Sequence, residues 1–228
     1  MGKPDIIYED SDIIVCYKPA GIATQTRRIG QQDMESFIRN YRAAKNELPY
    51  VGIVHRLDQP VEGVMVFAKN QKAAASLSRQ IKEHTTEKYY RAASRGQGVS
   101  GTDKEEDNHD PAWHTLTDYI SFDKRTNTSK ITSEKDRLAK KAVLQYRVIS
   151  VSPDRDSSQN ECIRTEFDIK LLTGRHHQIR LQLANIGYPL IGDTKYGGDT
   201  AREQLALCSY KIVFDHPATG ERMTFELQ

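Results

Sequence analysis

The sequence has few cysteines, a single tryptophan and no long run of apolar residues. Its three cysteines, Cys16, Cys162 and Cys208, are an odd number at unrelated spacings, which argues against a disulfide framework and against paired zinc ligands. No apolar segment approaches the roughly 20 residues that a membrane helix needs. The first residues resemble neither a signal peptide nor a transit peptide. We therefore expect a cytoplasmic chain with reduced thiols and no membrane partner.

Internal repeats, low-complexity tracts and linkers rich in proline or glycine are also missing from the 228 residues. A chain of this length can bury a full hydrophobic core as one large domain or two small ones. We expect a single domain over residues 1–228. The one break in composition, residues 96–110, is rich in Gly, Asp and Glu and predicts a surface loop.

The chain carries little net charge, +2 at pH 7, which is a weak indication of nucleic-acid binding. The acids are unevenly distributed, because residues 102–110 hold five acidic residues and one lysine. Without that segment, the 33 basic and 31 acidic residues become 32 and 26. This basic surplus permits binding to a polyanion but does not establish it.

Runs of apolar and β-branched residues predict many strands. The clearest covers residues 163–171, where apolar and charged side chains alternate as in a strand with one wet face. The other predicted strands are residues 13–17, 51–54, 64–68, 89–93, 144–149, 205–214 and 223–227, the last two forming a hairpin about a turn at 216–221.

Two segments have the periodicity of amphipathic helices. The first spans residues 71–84, with Asn70 as its N-cap. The second spans residues 176–186, before the stop signals Gly187 and Pro189. Many strands, few helices and no regular βαβ alternation predict an α+β fold with a central, mostly antiparallel (mixed) sheet flanked by helices and loops.

Two motifs suggest other chemistry, but their surroundings argue against it. Residues 96–101 match the GxGxxG pattern of dinucleotide loops, yet the acidic run that follows would repel a pyrophosphate. His176 and His177 are adjacent, so on a helix they cannot share a metal ion as residues four apart can. The sequence therefore predicts neither a nucleotide cofactor nor a metal site.

A carboxylate stands on a short loop between two predicted core strands. Asp58 follows the strand at residues 51–54 and precedes the strand at residues 64–68. An aspartate next to a proline-containing segment commonly bonds the backbone of its own turn, and local chemistry alone favours that interpretation. A functional role needs support from elsewhere in the chain.

A second polar cluster lies at residues 173–180, where a predicted strand turns into the second helix. By itself it is a basic turn that suits a solvated face or a phosphate contact. Arg180, however, lies among apolar neighbours, so its guanidinium is a candidate to point inward, where it would need a carboxylate partner. Asp58 is a candidate for that partner.

Short motifs follow one another in a fixed order along nearly the whole chain. They are HRLD at 55–58, KYY at 88–90, TGRHHQIR at 173–180, IGYPLIGD at 186–193 and YG at 196–197, and the segments 7–10, 15–21 and 205–217 fit as well. In this order the motifs resemble those of the RluA-type family of pseudouridine synthases. HRLD alone is a weak signal, but five ordered matches leave little room for accident.

The resemblance implies the fold of the family's catalytic domain, with a cleft for RNA, and it assigns roles to residues. It implies that Asp58 is the catalytic aspartate, that Arg180 pairs with it and that Tyr90 stacks on the target base. Arg56 matches the side chain that fills the space left by the flipped base. The other candidates for RNA contact are His55, Arg175, His177 and Gln178, with His55 also suited to a structural role.

The implied roles make physical sense. A base within folded RNA must be extruded before its glycosidic bond can be reached, and unstacking costs on the order of a few kcal/mol. An arginine in the gap and a tyrosine against the base offset that cost. The aspartate must stay ionised, and a bidentate arginine would keep it charged. The reaction needs no metal and no organic cofactor.

Some features leave alternatives open. Val61, Glu62 and Gly63 stand where the family commonly has Thr-Ser-Gly, and the chain begins directly with catalytic-domain sequence, so we expect no separate N-terminal RNA-binding module. Glu62 could instead activate water in a nucleoside hydrolase or base glycosylase, and a non-catalytic RNA-binding module would retain the same fold. The expected function is that of an RNA pseudouridine synthase, an isomerase of uridines in ribosomal or transfer RNA that needs no obligatory protein partner.

Overall fold

The computed structural model describes residues 4–26, 28, 30–95, 112–155, 161–197 and 203–227. Backbone contacts divide the chain into two compact units: the first consists of Met1–Lys88 and Cys208–Gln228, and the second of Tyr89–Leu207. The expectation of a single domain stays a prediction. The predicted surface loop at residues 96–110, with its GxGxxG match, lies outside the described residues.

The part of the chain that the structure describes forms eleven strands and three helices. In chain order they are β1 (Asp5–Glu9), β2 (Ile13–Lys18), α1 (Met34–Ala44), β3 (Gly52–Ile53), β4 (Glu62–Ala68), α2 (Gln71–Lys82), β5 (Glu87–Arg95), β6 (His114–Asp123), β7 (Thr128–Thr132), β8 (Lys140–Arg155), β9 (Glu161–Leu171), α3 (Gln178–Asn185), β10 (Leu207–Asp215) and β11 (Arg222–Glu226). No helix among these residues is long and apolar enough to span a membrane.

The first unit is built on a mixed sheet in the order β1-β2-β4-β10-β11, with β3 also pairing with β4. Neighbouring strands are antiparallel except β4 and β10, which pair in parallel with Glu62 opposite Cys208 and Gly63 opposite Ser209. Gly63 has a φ of 137°, and a Cβ there would lie 2.3 Å from the backbone oxygen of Ser209. Only glycine allows β4 to enter this register.

Alternate residues of β2 and β4 supply the core of the first unit. They pack with α2 and β10 in one cluster of buried side chains, namely Ile13, Val15, Val64, Val66, Ala68, Ala73, Leu77, Ile212 and Phe214. Burial of this apolar surface is the main force that fixes β3 and β4 in place. The loop between those two strands, which carries Asp58, therefore stands on a well-packed base.

The second unit is an antiparallel sheet in the order β5-β9-β8-β6-β7. The short helix α3 packs on it, with Leu181 against Ile120 of β6 and Ala142 of β8. Residues 178–183 of α3 are all buried, including polar ones. Because a polar group buried without a partner is costly, the polar side chains of α3 must be satisfied within the protein.

The predicted α+β fold with a mostly antiparallel, mixed sheet is confirmed. The helix predicted at residues 71–84 is α2, and Asn70 is its N-cap as expected. The helix predicted at residues 176–186 begins later than expected, at Gln178. His177 delays its start because its backbone is left-handed, with a φ of 53°.

Sequence periodicity does not reveal α1 or the strands β1, β6 and β7. The three strands have largely exposed or half-buried side chains and so lack an apolar run.

Helix α1 begins with a capping box, in which the Asp33 carboxylate accepts a hydrogen bond from the Ser36 N–H at 2.8 Å. The Ser36 Oγ in turn accepts one from the Asp33 N–H at 3.0 Å. Such reciprocal bonds satisfy N–H groups that a helix start leaves open.

Candidate active site

Asp58 lies on the loop between β3 and β4, as the sequence predicts. The preceding residue, Leu57, is fixed by Thr24, whose Oγ1 accepts a hydrogen bond from the Leu57 N–H at 3.1 Å and donates one to the Leu57 carbonyl at 3.0 Å. On the other side, the Val61 N–H donates to the Asp58 carbonyl at 3.0 Å and closes a turn. The backbone on both sides of Asp58 is therefore held in place.

Lys18, at the end of β2, is a buried cation that organises the same loop. Its Nζ donates to three backbone carbonyl oxygens, one of them that of Gln59 at 3.2 Å, and its side chain is fully buried. Burial lowers the pKa of Lys18 to about 8, against the charges of Asp58 and Glu62, which raise it. An ammonium group therefore lies close enough to the Asp58 carboxylate for their charges to interact.

His55 belongs to the framework of the loop. Its Nε2 accepts a hydrogen bond from the Val66 N–H of β4 at 3.1 Å. Burial lowers the pKa of His55 to about 3, with a further contribution from the charge of Lys88, so the ring is neutral and able to accept this bond. The arrangement favours the structural role of His55, and its contact with RNA stays a prediction.

Arg56 and Glu62, which lie on either side of Asp58 in the sequence, differ in their surroundings. Arg56 is exposed and donates from Nη2 to the Gln25 Oε1 at 2.9 Å. Glu62 is half-buried and accepts a hydrogen bond from the Tyr17 hydroxyl at 2.8 Å. Burial and this bond raise the pKa of Tyr17 to about 12. Arg56 is thus available to a ligand at the surface, whereas Glu62 is tied to β2.

In the second unit, the guanidinium of Arg180 in α3 pairs with Asp193. Nε lies 2.8 Å from Oδ2 and Nη2 lies 2.7 Å from Oδ1, and the two residues are 4% and 0% exposed. Asp193 also accepts the N–H groups of Lys195 and Tyr196. Burial raises the pKa of Asp193. These hydrogen bonds and the guanidinium outweigh burial and hold that pKa below its usual value. The carboxylate partner that a buried Arg180 requires is therefore Asp193, and the pairing with Asp58 stays a prediction.

A chain of hydrogen bonds steadies the surroundings of Arg180. The Ser129 N–H donates to the Tyr196 hydroxyl oxygen at 2.8 Å, and the same oxygen lies 2.9 Å from the His177 Nδ1. Burial lowers the pKa of His177 to about 3, which keeps its ring neutral and able to accept. The guanidinium carbon of Arg180 lies 5.3 Å from the centre of the Tyr196 ring, within cation–π range. His177 therefore fixes the ring against which Arg180 rests.

Gln178 and Arg175 organise the turn before α3. The Gln178 Oε1 accepts hydrogen bonds from the Thr173 hydroxyl at 2.8 Å and the Arg175 N–H at 3.0 Å, and its Nε2 donates to Gln182 at 2.9 Å. The Arg175 Nε donates to the Lys141 carbonyl at 2.8 Å. Gln178 is only 3% exposed. Its burial favours a role in shaping the turn, and the predicted RNA contacts of both residues stay predictions.

The structure brings the predicted site residues together in two groups, one in each unit. The first group is His55, Arg56 and Asp58, and the second is Tyr90, Arg175, His177, Gln178 and Arg180. Tyr90 lies in β5 opposite Ile169 of β9 and is 5% exposed. Its stacking on a base, and the joint action of both groups, stay predictions.

Sequence reasoning did not single out Lys18 or Asp193. Both are charged residues in apolar surroundings, since Lys18 ends a buried strand and Asp193 follows buried Leu190 and Ile191. The argument that gave Arg180 a carboxylate partner applies equally to Asp193, 13 residues further along the chain. A search for every acid in an apolar run would have found it.

One group of possible metal ligands occurs among the described residues, formed by Asp10, Asp12 and His216. The His216 Nδ1 accepts a hydrogen bond from the Thr219 N–H at 3.1 Å, so Nε2 carries the ring proton and donates it to Asp10 at 3.0 Å. Asp12 accepts a hydrogen bond from the Asn70 amide at 2.8 Å. These bonds explain why the three side chains lie together, since they link the turn after β1 to the turn after β10 and to the start of α2. That the reaction needs no metal stays a prediction.

A model of a protein family, described as RNA pseudouridylate synthase, matches residues 12–185. That range contains Asp58, Tyr90 and Arg180. The chain belongs to this family. The assignment confirms the expected type of protein, an RluA-type pseudouridine synthase, and the expected class of reaction, isomerisation in RNA.

Curated relatives resemble nearly the whole chain. It is 33% identical over 227 residues to an uncharacterized RNA pseudouridine synthase of Bacillus subtilis, covering 99% of this chain and 68% of that protein. It is 32% identical over 243 residues to ribosomal large subunit pseudouridine synthase D of Pseudomonas aeruginosa, covering 97% and 67%. For the protein of the same name in Neisseria meningitidis serogroup B, identity is 30% over 239 residues, covering 97% and 57%. The chain thus spans from just over half to about two thirds of these relatives' length.

Two solved structures share the fold. Human RNA Pseudouridylate Synthase Domain Containing 4 has a TM-score of 0.73 at 18% identity, covering 98% of this chain and 88% of that one. Human RNA Pseudouridylate Synthase Domain Containing 1 has a TM-score of 0.74 at 22% identity, covering 99% and 83%. The expected pseudouridine-synthase-like fold is confirmed.

Proposed function

We propose that this protein converts specific uridines of structured RNA to pseudouridine in the cytoplasm, with Asp58 as the catalytic group. Ribosomal or transfer RNA is the substrate, and the names of the Pseudomonas and Neisseria relatives favour ribosomal RNA. The observation that carries the proposal is the position of Asp58. It lies within the family match, on a loop whose backbone is held by Thr24 and Lys18.

A fixed carboxylate suits the first step of the reaction. Asp58 attacks the ribose or the pyrimidine ring, or assists departure of the base, and the fixed loop keeps its oxygens at one position. Lys18 adds a positive charge near that carboxylate without leaving the protein interior. The C1′–N1 bond breaks, and the detached uracil turns so that its C5 bonds to C1′ while any bond that Asp58 had made is released. C5 then loses its proton and N1 gains one, so the product is an isomer of the substrate. The base must therefore be retained and water excluded.

The other site residues are proposed to bind and hold the target nucleotide. Arg180 pairs with Asp58 and keeps it ionised. An arginine has five N–H donors, so its two bonds to Asp193 are compatible with a further bond to Asp58. Tyr90 stacks on the target base, and the exposed Arg56 fills the gap that the flipped base leaves in the RNA.

The hydrolase alternative needs a group that activates water. Glu62 is the acid nearest to Asp58 in sequence, and its Oε2 accepts a hydrogen bond from the Tyr17 hydroxyl at 2.8 Å. The Glu62 carboxylate is therefore already hydrogen-bonded within the protein. The arrangement therefore supports an isomerase, in which no water takes part in the chemical step.

Product analysis tests the proposal. The protein is incubated with ribosomal RNA transcripts lacking modifications, and the RNA is digested and measured by mass spectrometry. We expect carbon-linked uridine in an intact chain, no free uracil, and the same rate with or without chelator once the RNA is folded. The matched Asp58→Asn variant should bind the RNA but form no pseudouridine, because the amide keeps the shape without the charge.

Two results would contradict the proposal in different ways. Free uracil in amounts equal to the lost uridine would establish hydrolysis and make Glu62 the suspected general base. Tight RNA binding by the parent protein with no change in any uridine, tested on ribosomal and transfer RNA, would indicate a binding module instead.

A further inference from the structure

Aromatic rings from β6 and from the turn before α3 lie against one another in the second unit. The ring centres of Phe122 and His176 are 4.2 Å apart with the rings tilted by 48°, and those of His176 and His177 are 3.7 Å apart with the rings at 28°. The Tyr196 ring meets the His177 ring edge-on at 5.6 Å. We call Phe122, His176 and His177 the ring stack.

The inner end of the ring stack is fixed. His177 is 7% exposed, and its Nδ1 is bonded to the Tyr196 hydroxyl. The Ser129 Oγ donates to the His176 carbonyl at 2.9 Å, so the His176 Nδ1, 3.0 Å from the same oxygen, must be the donor to it. Both imidazoles are thus locked in position by the protein before any ligand arrives.

The outer end of the ring stack is open to solvent. Phe122 is 39% exposed, although a phenyl ring carries no polar group that would favour that position. An aromatic ring that is supported on one side and open on the other resembles the surfaces on which unpaired nucleic-acid bases stack. A single exposed phenylalanine has little weight alone, so the charges around it decide what it fits.

Two lysines lie beside the open end. Lys140 stands opposite Ile120 in the β6–β8 register, and Ile120 is on the same face of β6 as Phe122, two residues away. Lys195 donates from Nζ to the Asn127 carbonyl at 2.6 Å, at the turn that follows β6. Both lysines are exposed. Two cations thus belong to the same region of the second unit as Phe122, one on the neighbouring strand and one at the turn after β6.

Most acids of the same region belong to the opposite face of the sheet. Asp123, the residue after Phe122 in β6, faces that side by strand alternation and accepts the Arg125 N–H at 2.8 Å. Glu134 and Asp136 accept hydrogen bonds from Tyr119 and Thr132, which are paired with each other in the register on the opposite face of the sheet. Asp118 shares the face of Phe122 but is four residues away, about 13 Å along a strand, and accepts a hydrogen bond from buried Gln182. The face with the ring stack is thus the more positive of the two.

We propose that the ring stack binds an unpaired base of the substrate RNA, which stacks on Phe122 while Lys140 and Lys195 contact the flanking phosphates. The proposal rests on the proposed function in taking RNA as the partner. It adds a binding role for Phe122, Lys140 and Lys195, none of which is among the groups proposed to act on the target uridine. Because stacking uses the face of the base, the site should accept any base, purines most strongly.

Binding measurements with Phe122 variants test this site. The probes are labelled 12-nucleotide oligoadenylate and oligouridylate and a ribosomal RNA transcript. Phe122→Leu keeps apolar packing on His176 but removes the aromatic face, so the Kd for oligoadenylate should rise at least 5-fold, in line with a lost stacking contact. Phe122→Trp should bind at least as tightly as the parent. In a Trp113→Phe background, the fluorescence of the new tryptophan should be quenched by oligoadenylate.

Controls separate stacking from simple packing. Ile149→Ala changes an apolar residue of the same unit with similar exposure, 38%, and should leave the Kd unchanged. Urea unfolding midpoints confirm that each variant is folded. A folded Phe122→Leu variant that binds all three probes like the parent would overturn the site and reduce Phe122 to a packing residue, and so would an unquenched tryptophan.

Activity measured in parallel distinguishes this proposal from the proposed function. If the parent protein forms pseudouridine but Phe122→Leu binds RNA normally, only the binding site is refuted. If the parent binds oligonucleotides through Phe122 but forms no pseudouridine, the site stands and the proposed function fails.

Discussion

Lys18 and Arg180 are both buried cations, and the geometry of their partners explains which residue type occurs at each position. Arg180 makes two parallel bonds to one carboxylate, which requires a planar group with donors side by side. Lys18 lies among three carbonyl oxygens, which suits a compact ammonium with three donors. Exchanging arginine and lysine at either position therefore removes bonds while keeping the charge.

Replacing Arg180 with lysine should reduce turnover by well over tenfold. The ammonium cannot make the two-point contact with Asp193 that fixes the group proposed to hold Asp58, and a loss on the order of 2 kcal/mol corresponds to such a drop. The rate of pseudouridine formation with enzyme in excess of RNA measures the effect. Arg164→Lys is the control, because that arginine is a partly exposed residue of the same unit and bonds Glu166 through Nε. A rate like that of the parent in Arg180→Lys would remove Arg180 from the mechanism.

The position of Asp58 could be predicted from the sequence, but the partner of Arg180 could not be chosen with certainty. Asp58 is flanked by two strands that are recognisable from a few residues each, so its loop follows from local pattern. The partner of a buried arginine depends on how the chain folds back. Sequence reasoning offered only Asp58 as the candidate. The structure shows Asp193 bonded to Arg180, and the pairing with Asp58 stays a prediction. The chemistry of a buried arginine predicts that its partner is a carboxylate, but only the tertiary structure shows which residue supplies that carboxylate.

At the scale of elements, the N-cap of α2 illustrates how a local signal becomes stability. The Asn70 Oδ1 accepts a hydrogen bond from the Ala73 N–H at 2.9 Å, and the Asn70 amide donates to Asp12 at 2.8 Å. Asn70 therefore both starts the helix and connects it to the turn between β1 and β2. Loss of the Asn70 side chain removes both the hydrogen bond of the helix cap and the hydrogen bond to the turn, and the two losses of stability add.

Asn70→Ala should lower the free energy of unfolding by about 1–2 kcal/mol, the usual effect of removing an N-cap. Asn70→Ser should retain most of the stability, because its hydroxyl can also accept the hydrogen bond of the cap. Urea unfolding at constant temperature measures both variants. Equal stability of the alanine variant and the parent would show that the cap contributes nothing.

Helices α1 and α3 explain why periodicity alone predicts elements unevenly. Helix α1 is amphipathic, with Met34, Ile38 and Arg42 on its buried face, but the charge of Arg42 interrupts the apolar stripe that would reveal this helix in the sequence. Helix α3 buries Gln178, Arg180 and Gln182 as well as its apolar residues. Gln178 bonds a near neighbour, Gln182. Arg42 and Arg180 instead bond Lys69 and Asp193, farther along the chain, and a sequence pattern does not show such partners.

For the whole molecule, two neutral histidines make stability depend on pH. Burial lowers the pKa of His55 and of His177 to about 3, from an ordinary value of 6.5. Between those values the unfolded chain binds protons that the folded chain does not. The histidines' contribution to stability is therefore complete above pH 6.5 and is lost progressively as the pH falls toward 3.

A variant of His55 measures how much of this pH dependence comes from that residue. Between pH 7 and pH 5 the free energy of unfolding of the parent should fall, and in His55→Asn it should fall by roughly 2 kcal/mol less, since asparagine can accept the Val66 N–H without titrating. Urea unfolding at the two pH values supplies the numbers. Equal losses in parent and variant would mean that His55 is protonated in the folded protein.

The discontinuity of the first unit affects how the protein emerges from the ribosome. Strand β4 is made early, but its parallel neighbour β10 lies beyond the whole second unit. Roughly 140 residues must be added between them, which takes about 7–28 s at a synthesis rate of about 5–20 residues per second. The second unit, by contrast, is contiguous in the chain. The sheet that supports Asp58 is thus completed only after the whole second unit has been made, so a nascent chain that still lacks β10 should not act on the RNA around it.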